Sequence, residues 1–316
     1  MVAIRLLSPH ALIAILMATL AATTAEARIL EVGKDKDYKL PSEAIGAAKP
    51  GDTVRIGEGE YFDCATVKAN KLIIEGAGAA DKIVMTDKAC SGKGMLVVQA
   101  NDLTVRNMTL ARARVPDGNG AGIRNEGANL TIEGVRFINN QNGILSTPQD
   151  KGTIIIKNSL FDRNGGCASG GCAHGVYLNN ADLVQIENTT FLGTKQGHHI
   201  KSRALRTEVV GCTIKDGEEG TASYEIDIPL GGSLVVRDNT FQKGAEAENH
   251  SAIILLGAEG IQQPTREITI ENNKVRNDGS WNTVFMRNMS ATDAMLKGNT
   301  FSGNIKPLDG DGKVTR

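Results

Sequence analysis

A short motif recurs eight times along the chain and constrains its fold more than any other feature. Its clearest copies are Ile-Glu-Asn-Thr-Thr-Phe, ending at Phe191, and Val-Arg-Asp-Asn-Thr-Phe, ending at Phe241. Aligned on their last residue, the copies end at Leu110, Phe137, Phe161, Phe191, Ile214, Phe241, Val275 and Phe301. Steps of 23 to 34 residues separate these anchors. The chain therefore consists of repeats of one small structural unit.

Side chains within the motif alternate in character. The position five residues before the anchor is aliphatic in every copy, whereas the next position is mostly charged. The aliphatic column consists of Val105, Ile132, Ile156, Ile186, Val209, Val236, Ile270 and Leu296. A period of two is typical of a strand with one buried face. Each repeat is therefore predicted to contain such a strand.

A sharp bend is predicted three residues before each anchor, where only Asn, Gly or Asp occurs. These residue types best tolerate a left-handed backbone. A second short strand then carries the anchor, and a third strand follows the variable loop. Three strands per repeat with no intervening helices predict a solenoid of about ten coils whose strands stack into long parallel sheets.

This repeat resembles the right-handed parallel β-helix of the pectin-lyase-like superfamily. Residues 40–61, an Ala-rich amphipathic stretch followed by Gly-rich turns, look like the helical cap and first coil of that family. The resemblance covers most of the chain after residue 27. It implies an all-β fold, a right-handed parallel β-helix with a short N-terminal helical cap.

The first 27 residues are predicted to be a secretory signal. Arg5 and His10 precede an apolar run over residues 11–22, and small residues lead to Ala27. Such a run is shorter than the ~20 residues that a membrane-spanning helix needs. We therefore expect residues 1–27 to be removed, residues 28–316 to form one β-helix domain, and the protein to reside in the periplasm or outside the cell. The formal net charge of −1, from 35 basic and 36 acidic residues, argues against a nucleic-acid partner.

The five cysteines are interpreted as disulfide candidates because the export signal indicates an oxidising compartment. Cys64 and Cys90 are about one coil apart, which places them on neighbouring strands at a spacing that a disulfide can bridge. Cys167 and Cys172 close a short Gly-rich loop and form the second predicted pair. Cys212 occupies an inward column and is expected to be a free, buried thiol.

Polar residues gather on the third strand of three consecutive repeats. The residues predicted to face outward there are Tyr177, Asn179, His199, Lys201, Arg203, Glu225 and Asp227. With coils ~4.8 Å apart, Lys201 should stand over Asp227 and beside Tyr177. Arg124 and Glu126 occupy the same columns in an earlier repeat, whereas His174 and His198 are predicted to be structural. The variable loops over residues 162–174 and 215–224 are expected to wall a groove above this patch.

The family resemblance implies a chemistry for the patch. Members that act on acidic polysaccharides remove the proton alpha to a uronate carboxylate, which requires a base, a cation for the carboxylate and an acid for the leaving oxygen. By analogy, Lys201 or His199 would be the base, Arg203 or Arg124 would hold the carboxylate, and Tyr177 would be the acid. Glu126, Asn179, Glu225 and Asp227 would contact the substrate.

Other functions fit the sequence as well. The charges could form only a structural ladder, Lys201 with Asp227 and Arg203 with Glu225. Glu225, Asp227 and Glu126 could instead serve an inverting polysaccharide hydrolase. A non-catalytic polysaccharide-binding or envelope protein is the remaining alternative. The expected partner is a polysaccharide and the expected state a monomer, but the sequence does not name the sugar.

No cofactor is expected. The chain lacks an acidic cluster like the calcium site of pectate lyases and an Asp-Pro-His-Asp stretch like that of alginate epimerases. Residues 117–120 and 216–219 look like fragments of metal-binding loops, but each lacks a full set of ligands. We interpret both as turns and predict no metal site; calcium would be the ion to consider.

Overall fold

A computed structural model describes residues 26–148, 152–168 and 171–316 of the 316-residue chain. Most of the predicted signal, residues 1–25, lies outside the described residues. Within the described parts, three long parallel sheets wind around one core. They are called sheets A, B and C below, and each coil passes through them in that order.

The bounds of the strands follow the coils from the N-terminal end. Sheet A contains Ile29–Val32, Thr53–Ile56, Ile73–Gly76, Leu103–Arg106, Leu130–Glu133, Thr153–Lys157, Leu183–Glu187, Arg206–Val210, Ser233–Arg237, Ile268–Glu271, Ala294–Lys297 and Gly312–Thr315. Sheet B contains Gly59–Tyr61, Ile83–Thr86, Thr109–Ala111, Arg136–Ile138, Leu160–Asp162, Thr190–Leu192, Thr213–Lys215, Thr240–Lys243, Lys274–Asn277 and Thr300–Ser302. Sheet C contains Ala65–Val67, Gly94–Val98, Ala121–Asn125, Asn142–Ser146, Val176–Leu178, His198–Ser202, Tyr224–Ile228, Ala252–Leu256, Thr283–Asn288 and Ile305–Asp309. An antiparallel hairpin, Gly166–Ala168 with Gly171–Ala173, projects from one loop.

The coils stack in the register that the repeat predicts. Val105 pairs with Ile132, Ile132 with Ile156, and Ile156 with Ile186. The predicted bend between sheets A and B is confirmed in all eight copies. Its residues have φ between +48° and +65°: Asn107, Gly134, Asn158, Asn188, Gly211, Asp238, Asn272 and Gly298. The solenoid is therefore the parallel β-helix that the sequence indicates.

The interior is filled by stacked columns. Phe137, Phe161 and Phe191 form a ladder whose ring centroids lie 4.5 and 4.7 Å apart, and all three are fully buried. Sheet C makes room for these rings with glycines, since a Cβ on Gly122 would stand 2.8 Å from Phe137 and one on Gly143 would stand 2.6 Å from Phe161. Large residues in one sheet are therefore matched by small ones in another.

A short α-helix, Pro41–Ala47, covers the N-terminal end, and a 3₁₀ turn spans Ala80–Lys82. The α-helix buries Ala44 and Ile45 against the first coils, and Glu43 accepts hydrogen bonds from the backbone of Lys39 and Leu40 at its start. This is the predicted cap. In the described ranges, neither helix is long and apolar enough to cross a membrane.

The cysteines are arranged as predicted. Cys64 is bonded to Cys90, with Cα atoms 5.5 Å apart, and Cys167 is bonded to Cys172 across the hairpin. Cys212 is buried and has a free thiol. Burial raises the pKa of this thiol to about 11, so it is protonated and unreactive in the folded protein.

Candidate functional site

Three neighbouring strands of sheet C bring the candidate residues together. Tyr177 pairs in register with Lys201, and Lys201 pairs with Asp227, so the three side chains form one outward column. Ile200 and Ile226, the preceding residues, point into the core. This part of the predicted patch is where the sequence places it.

Lys201 stands at the centre of the cluster. Its Nζ lies 3.2 Å from Asp227 Oδ2 and donates a hydrogen bond to Glu259 Oε1 at 3.1 Å. Arg203 Nη2 pairs with the other oxygen of the same carboxylate, Glu259 Oε2. The exposed carboxylate of Glu259 thus bridges both cations, while Asp227 forms a second ion pair with Lys201.

The Tyr177 ring lies beneath the same two cations. Lys201 Nζ is 5.4 Å and the Arg203 guanidinium carbon 5.2 Å from the ring centroid, both within the range of a cation–π contact. Burial raises the pKa of Tyr177, although the charges of Arg203 and Lys201 oppose that rise. The phenol is therefore protonated at neutral pH and can donate a proton.

A row of stacked rings borders the cluster on one side. His198 stacks between His174 and Tyr224 at centroid distances of 4.8 and 5.1 Å. His174 Nδ1 accepts the backbone N–H of His198, and His198 Nδ1 accepts that of Tyr224, so the proton of each neutral imidazole is on Nε2. His198 Nε2 lies 3.4 Å from Asp227 Oδ2.

Burial controls the ionisation of these groups. It lowers the pKa of His174 to about 3, assisted by the positive charges of Lys201 and Arg203, and it lowers the pKa of His198 well below its usual value. Burial also raises the pKa of the Asp227 carboxyl to about 6, against the opposing effect of Lys201. Both imidazoles are thus neutral at pH 7, whereas Asp227 titrates close to neutrality.

The prediction that His199 faces outward is wrong. The side chain is fully buried, its Nδ1 lies 2.7 Å from Thr194 Oγ1, and its Nε2 lies 3.0 Å from Asp216 Oδ1. Its column lies at a corner where the chain enters sheet C, so that His199 and the following residue, Ile200, both point inward. Other coils fill this column with buried apolar residues, namely Met95, Ile253 and Phe285.

Glu225 occupies the same interior column, so its predicted outward position is also wrong. It is fully buried, and its Oε2 lies 3.5 Å from the Nζ of Lys243, which is equally buried. Burial raises the pKa of Glu225 well above its usual value, against the effect of Lys243. The predicted pairing of Arg203 with Glu225 is therefore absent, and Glu259 takes that role.

Three other predicted residues do not join the cluster. Arg124 and Glu126 lie two strands from Tyr177 and three from Lys201 in sheet C, about 10 and 14 Å at the usual strand spacing. Both engage other partners, since Glu126 binds Lys93 and lies 3.7 Å from Arg124. Asn179 is buried and donates its amide hydrogen to the carbonyl of Ser146. It links two neighbouring coils and is not available to a ligand.

Sequence reasoning missed the residues that complete the site. His198 was expected to be a structural residue, but its side chain faces the cluster. Glu259 lies on a loop, residues 257–267, which has no strand period to place it. The only local signal is the pair of glycines around it, Gly257 and Gly260, which mark a turn.

Comparisons with known proteins agree with this architecture. A family model described as right handed beta helix region matches residues 168–312, and the structure is a right-handed parallel β-helix of the pectin-lyase-like superfamily. A second model, described as periplasmic copper-binding protein (NosD), matches residues 51–222, more than half of the chain. The chain belongs to that family. A search of curated proteins found no significant match.

Solved structures share the fold at low sequence identity. An alginate lyase from Paenibacillus sp. str. FPU-7 is 16% identical, with a TM-score of 0.58 over 90% of this chain and 99% of that one. The ORF18 protein of Geobacillus virus E2 is 12% identical, with a TM-score of 0.50 over 85% of this chain and 57% of that one. At such identities these likenesses establish the fold alone.

The family description names copper, and the described residues do not fit such a site. Among residues 26–148, 152–168 and 171–316, no group of three or more His, Cys, Asp or Glu side chains is placed to hold a metal ion. Two stacked imidazoles, His174 and His198, each use Nδ1 to accept a backbone N–H group. No step proposed below therefore involves copper.

Proposed function

We propose that this protein is exported and acts on an acidic, uronate-containing polysaccharide by lyase or epimerase chemistry. The observation that carries the proposal is the position of two cations, Lys201 and Arg203, over the ring of one tyrosine on the outer face of sheet C. A fold shared with a protein described as an alginate lyase is compatible with this activity. The two disulfides fit an oxidising compartment, and we propose that the protein works as a monomer in the periplasm or outside the cell.

The chemistry begins with removal of the proton alpha to the uronate carboxylate. In a lyase, the electrons of that C–H bond form a carbon–carbon double bond, the glycosidic C–O bond breaks, and the leaving oxygen takes up a proton. In an epimerase, the carbon regains a proton on its opposite face. Both reactions need positive charge beside the carboxylate, because negative charge develops there in the transition state.

We assign the positive charge to Lys201 and Arg203. Asp227, whose carboxyl has a pKa of about 6 and is mostly ionised at pH 7, accepts the alpha proton at Oδ1, which makes no hydrogen bond to any described residue. Tyr177 donates the proton that the leaving oxygen takes up in a lyase, or the carbon takes up on its opposite face in an epimerase. Lys201 is already in contact with two carboxylates, so its position suits the binding of a sugar carboxylate. Asp227, beneath it, orients the ammonium. His199 has no role in this scheme because it lies inside the β-helix.

A non-catalytic polysaccharide-binding protein is the second candidate function. Both cations already have partners in the free protein, and exchange of those partners for a sugar carboxylate would give binding without any reaction. The hydrolase alternative has less support, since Glu225 is enclosed in the core and Glu126 is two strands from Tyr177 and three from Lys201. An inverting hydrolase needs two accessible carboxyl groups across one bond.

The test is a panel of uronate-containing polymers, assayed for the ultraviolet absorbance of unsaturated product, for new reducing ends and for epimer content by NMR. We expect Tyr177→Phe, Lys201→Ala and Arg203→Ala each to lower turnover by about 100-fold or more. Lys157→Ala is the matched control, because it removes an exposed lysine paired with Glu187 on sheet A. Reducing ends without unsaturated product would indicate a hydrolase, and binding without product would indicate the non-catalytic alternative.

A further inference from the structure

The loop over residues 257–267 folds back onto the outer face of sheet C and delivers Glu259 to the candidate site. Its backbone is fastened to the preceding coil, since Glu259 N donates to Pro229 O at 2.9 Å and Gln262 N donates to Leu230 O at 2.8 Å. Gln263 lies 3.4 Å from the carbonyl of Arg203. The carboxylate of Glu259 is therefore held above the site by its own chain.

Lys201 and Arg203 contact the Glu259 carboxylate in the way they would contact the carboxylate of a ligand. Lys201 contacts Oε1 and Arg203 contacts Oε2, so each oxygen has its own positive partner. The two oxygens of a sugar carboxylate have the same spacing and charge as those of glutamate. A uronate could therefore make the same two contacts with no change in net charge at the site.

The two carboxylates that contact Lys201 differ in how easily they could leave. The Asp227 side chain is 5% exposed, whereas the Glu259 side chain is 42% exposed. Glu259 also lies between Gly257 and Gly260, whose φ values of +90° and +91° suit glycine and allow the turn to change. Water weakens an ion pair that is this exposed.

One donor at the site has no partner. The Nε of Arg203 is buried and makes no hydrogen bond to any described residue, although the Nη2 of the same guanidinium binds Glu259. A buried donor without an acceptor is costly. A ligand oxygen placed beside Glu259, or in its place, could satisfy it.

We propose that Lys201 and Arg203 form a two-point binding site for the carboxylate of an acidic sugar, which Glu259 fills in the free protein and vacates when the sugar binds. The inference rests on the proposed function and adds that the Glu259 side chain competes with the sugar for the two cations. Glu259 would also favour the binding of acidic sugars over neutral ones. A uronate replaces one carboxylate by another, whereas a neutral sugar would leave Arg203 without a carboxylate and Lys201 with Asp227 alone.

The expected consequence is tighter binding when the competitor is removed. With a tethered competitor, the apparent affinity is the intrinsic affinity multiplied by the fraction of molecules in which the site is open. Glu259→Gln keeps the size of the side chain but loses the charge that binds the two cations. We expect this variant to bind alginate and pectate hexasaccharides about five-fold more tightly or better in isothermal titration calorimetry.

Glu267→Gln is the matched control. It lies at the end of the same loop, its side chain is also 42% exposed, and it pairs with Arg206 on sheet A instead of with the site. Its affinity for both hexasaccharides should stay within about two-fold of the wild type, since this ion pair is at the surface. Hydrogen exchange of the wild type adds a second measurement, because the Glu259 and Gln262 amides should exchange faster with the hexasaccharide bound.

The outcomes separate the two levels of the proposal. Unchanged or weaker binding by Glu259→Gln, together with loss of binding by Lys201→Ala, would overturn the competitor role and leave the proposed function intact. Equal tightening by Glu259→Gln and Glu267→Gln would overturn it as well, as a nonspecific charge effect. No binding of either hexasaccharide by the wild type and by Glu259→Gln would overturn both proposals, and cellohexaose should bind neither protein.

Discussion

Two strands of sheet C, His198–Ser202 and Tyr224–Ile228, carry a charged cluster on each of their faces. The inner cluster consists of His199, Asp216, Glu225 and Lys243, and each of these residues is at most 1% exposed. The outer cluster consists of Lys201, Arg203, Asp227 and Glu259, in contact with Tyr177. Similar residue types on the two faces of the same strands are thus buried in the core on one side and lie at the outer surface on the other.

The difference lies in access to solvent. Inside, Lys243 donates to the carbonyl oxygens of Ala222 and Ser223 and contacts Glu225, and no ligand can reach it. Outside, the partner that both cations share lies on a loop at the surface. A concentration of charge in the sequence therefore does not identify a site, because the same pattern also builds a sealed network that holds a loop. What distinguishes the outer cluster is that Glu259, the carboxylate both cations share, is 42% exposed.

The largest effect on stability should come from the inner cluster. Lys243→Ala leaves the Glu225 carboxyl and two buried carbonyl oxygens without their partner, and we expect a loss of about 3–5 kcal/mol in the free energy of unfolding. Lys201→Ala, on the outer face, should cost about 1 kcal/mol, because water and protonation of Asp227 compensate. Urea denaturation of both variants measures this, and equal losses would contradict the distinction between the faces.

The same comparison applies to adjacent residues of one strand. Phe191 is fully buried in the aromatic ladder, whereas Thr190 points outward. Phe191→Ala should lower the free energy of unfolding by about 3 kcal/mol or more through the cavity it leaves. Thr190→Ala should change it by less than about 0.5 kcal/mol, and a cost similar to that of Phe191→Ala would show that the register is wrong.

The free energy of unfolding should depend on pH through His174, which borders the outer cluster. The pKa of His174 falls from about 6.5 in the unfolded chain to about 3 in the folded protein, so the unfolded chain binds a proton between these values that the folded protein does not. Stability from this group is present above pH 6.5 and is lost as the pH falls. Asp227, with its pKa raised to about 6, acts in the opposite sense between about pH 4 and 6.

The variant His174→Gln separates these two contributions. Between pH 7 and pH 5, the wild type should lose about 2 kcal/mol more than His174→Gln, since each pH unit below 6.5 contributes about 1.4 kcal/mol. Denaturation at the two pH values measures the difference. Parallel pH dependence of the two proteins would mean that His174 is solvated.

The smallest expected effect concerns Cys212, whose thiol should not react with a labelling reagent in the folded protein. Cys212 lies inside with a pKa of about 11, so a thiol reagent should not label the folded protein on the time scale on which it labels a free thiol. Unfolding without reductant should expose one thiol per chain, because the other four cysteines are paired. Rapid labelling of the native protein would show that the interior opens.

Much of the fold could be predicted because its signals are local and repeated. The alternation around Val105 and its equivalents, and the Asn, Gly or Asp at each bend, appear in all eight copies and reinforce one another. The column of Tyr177, Lys201 and Asp227 followed from the same period. The orientations of His198 and His199 are the reverse of those predicted, because the alternation of inward and outward side chains breaks where the chain turns the corner into sheet C. An alternation with a period of two residues cannot locate such a corner.

The sequence by itself determined the β-helix, its bends, its disulfide pairs and the outward column of the candidate site, because strand alternation and left-handed bends depend on neighbouring residues. Only the tertiary structure decided which charges are sealed and which are accessible. Glu225 and Asp227 are two residues apart, yet one pairs with Lys243 in the core and the other with Lys201 at the surface. Glu259 reaches Arg203 from 56 residues away along the chain. Contacts of this kind depend on how loops from successive coils pack, and no local period encodes them.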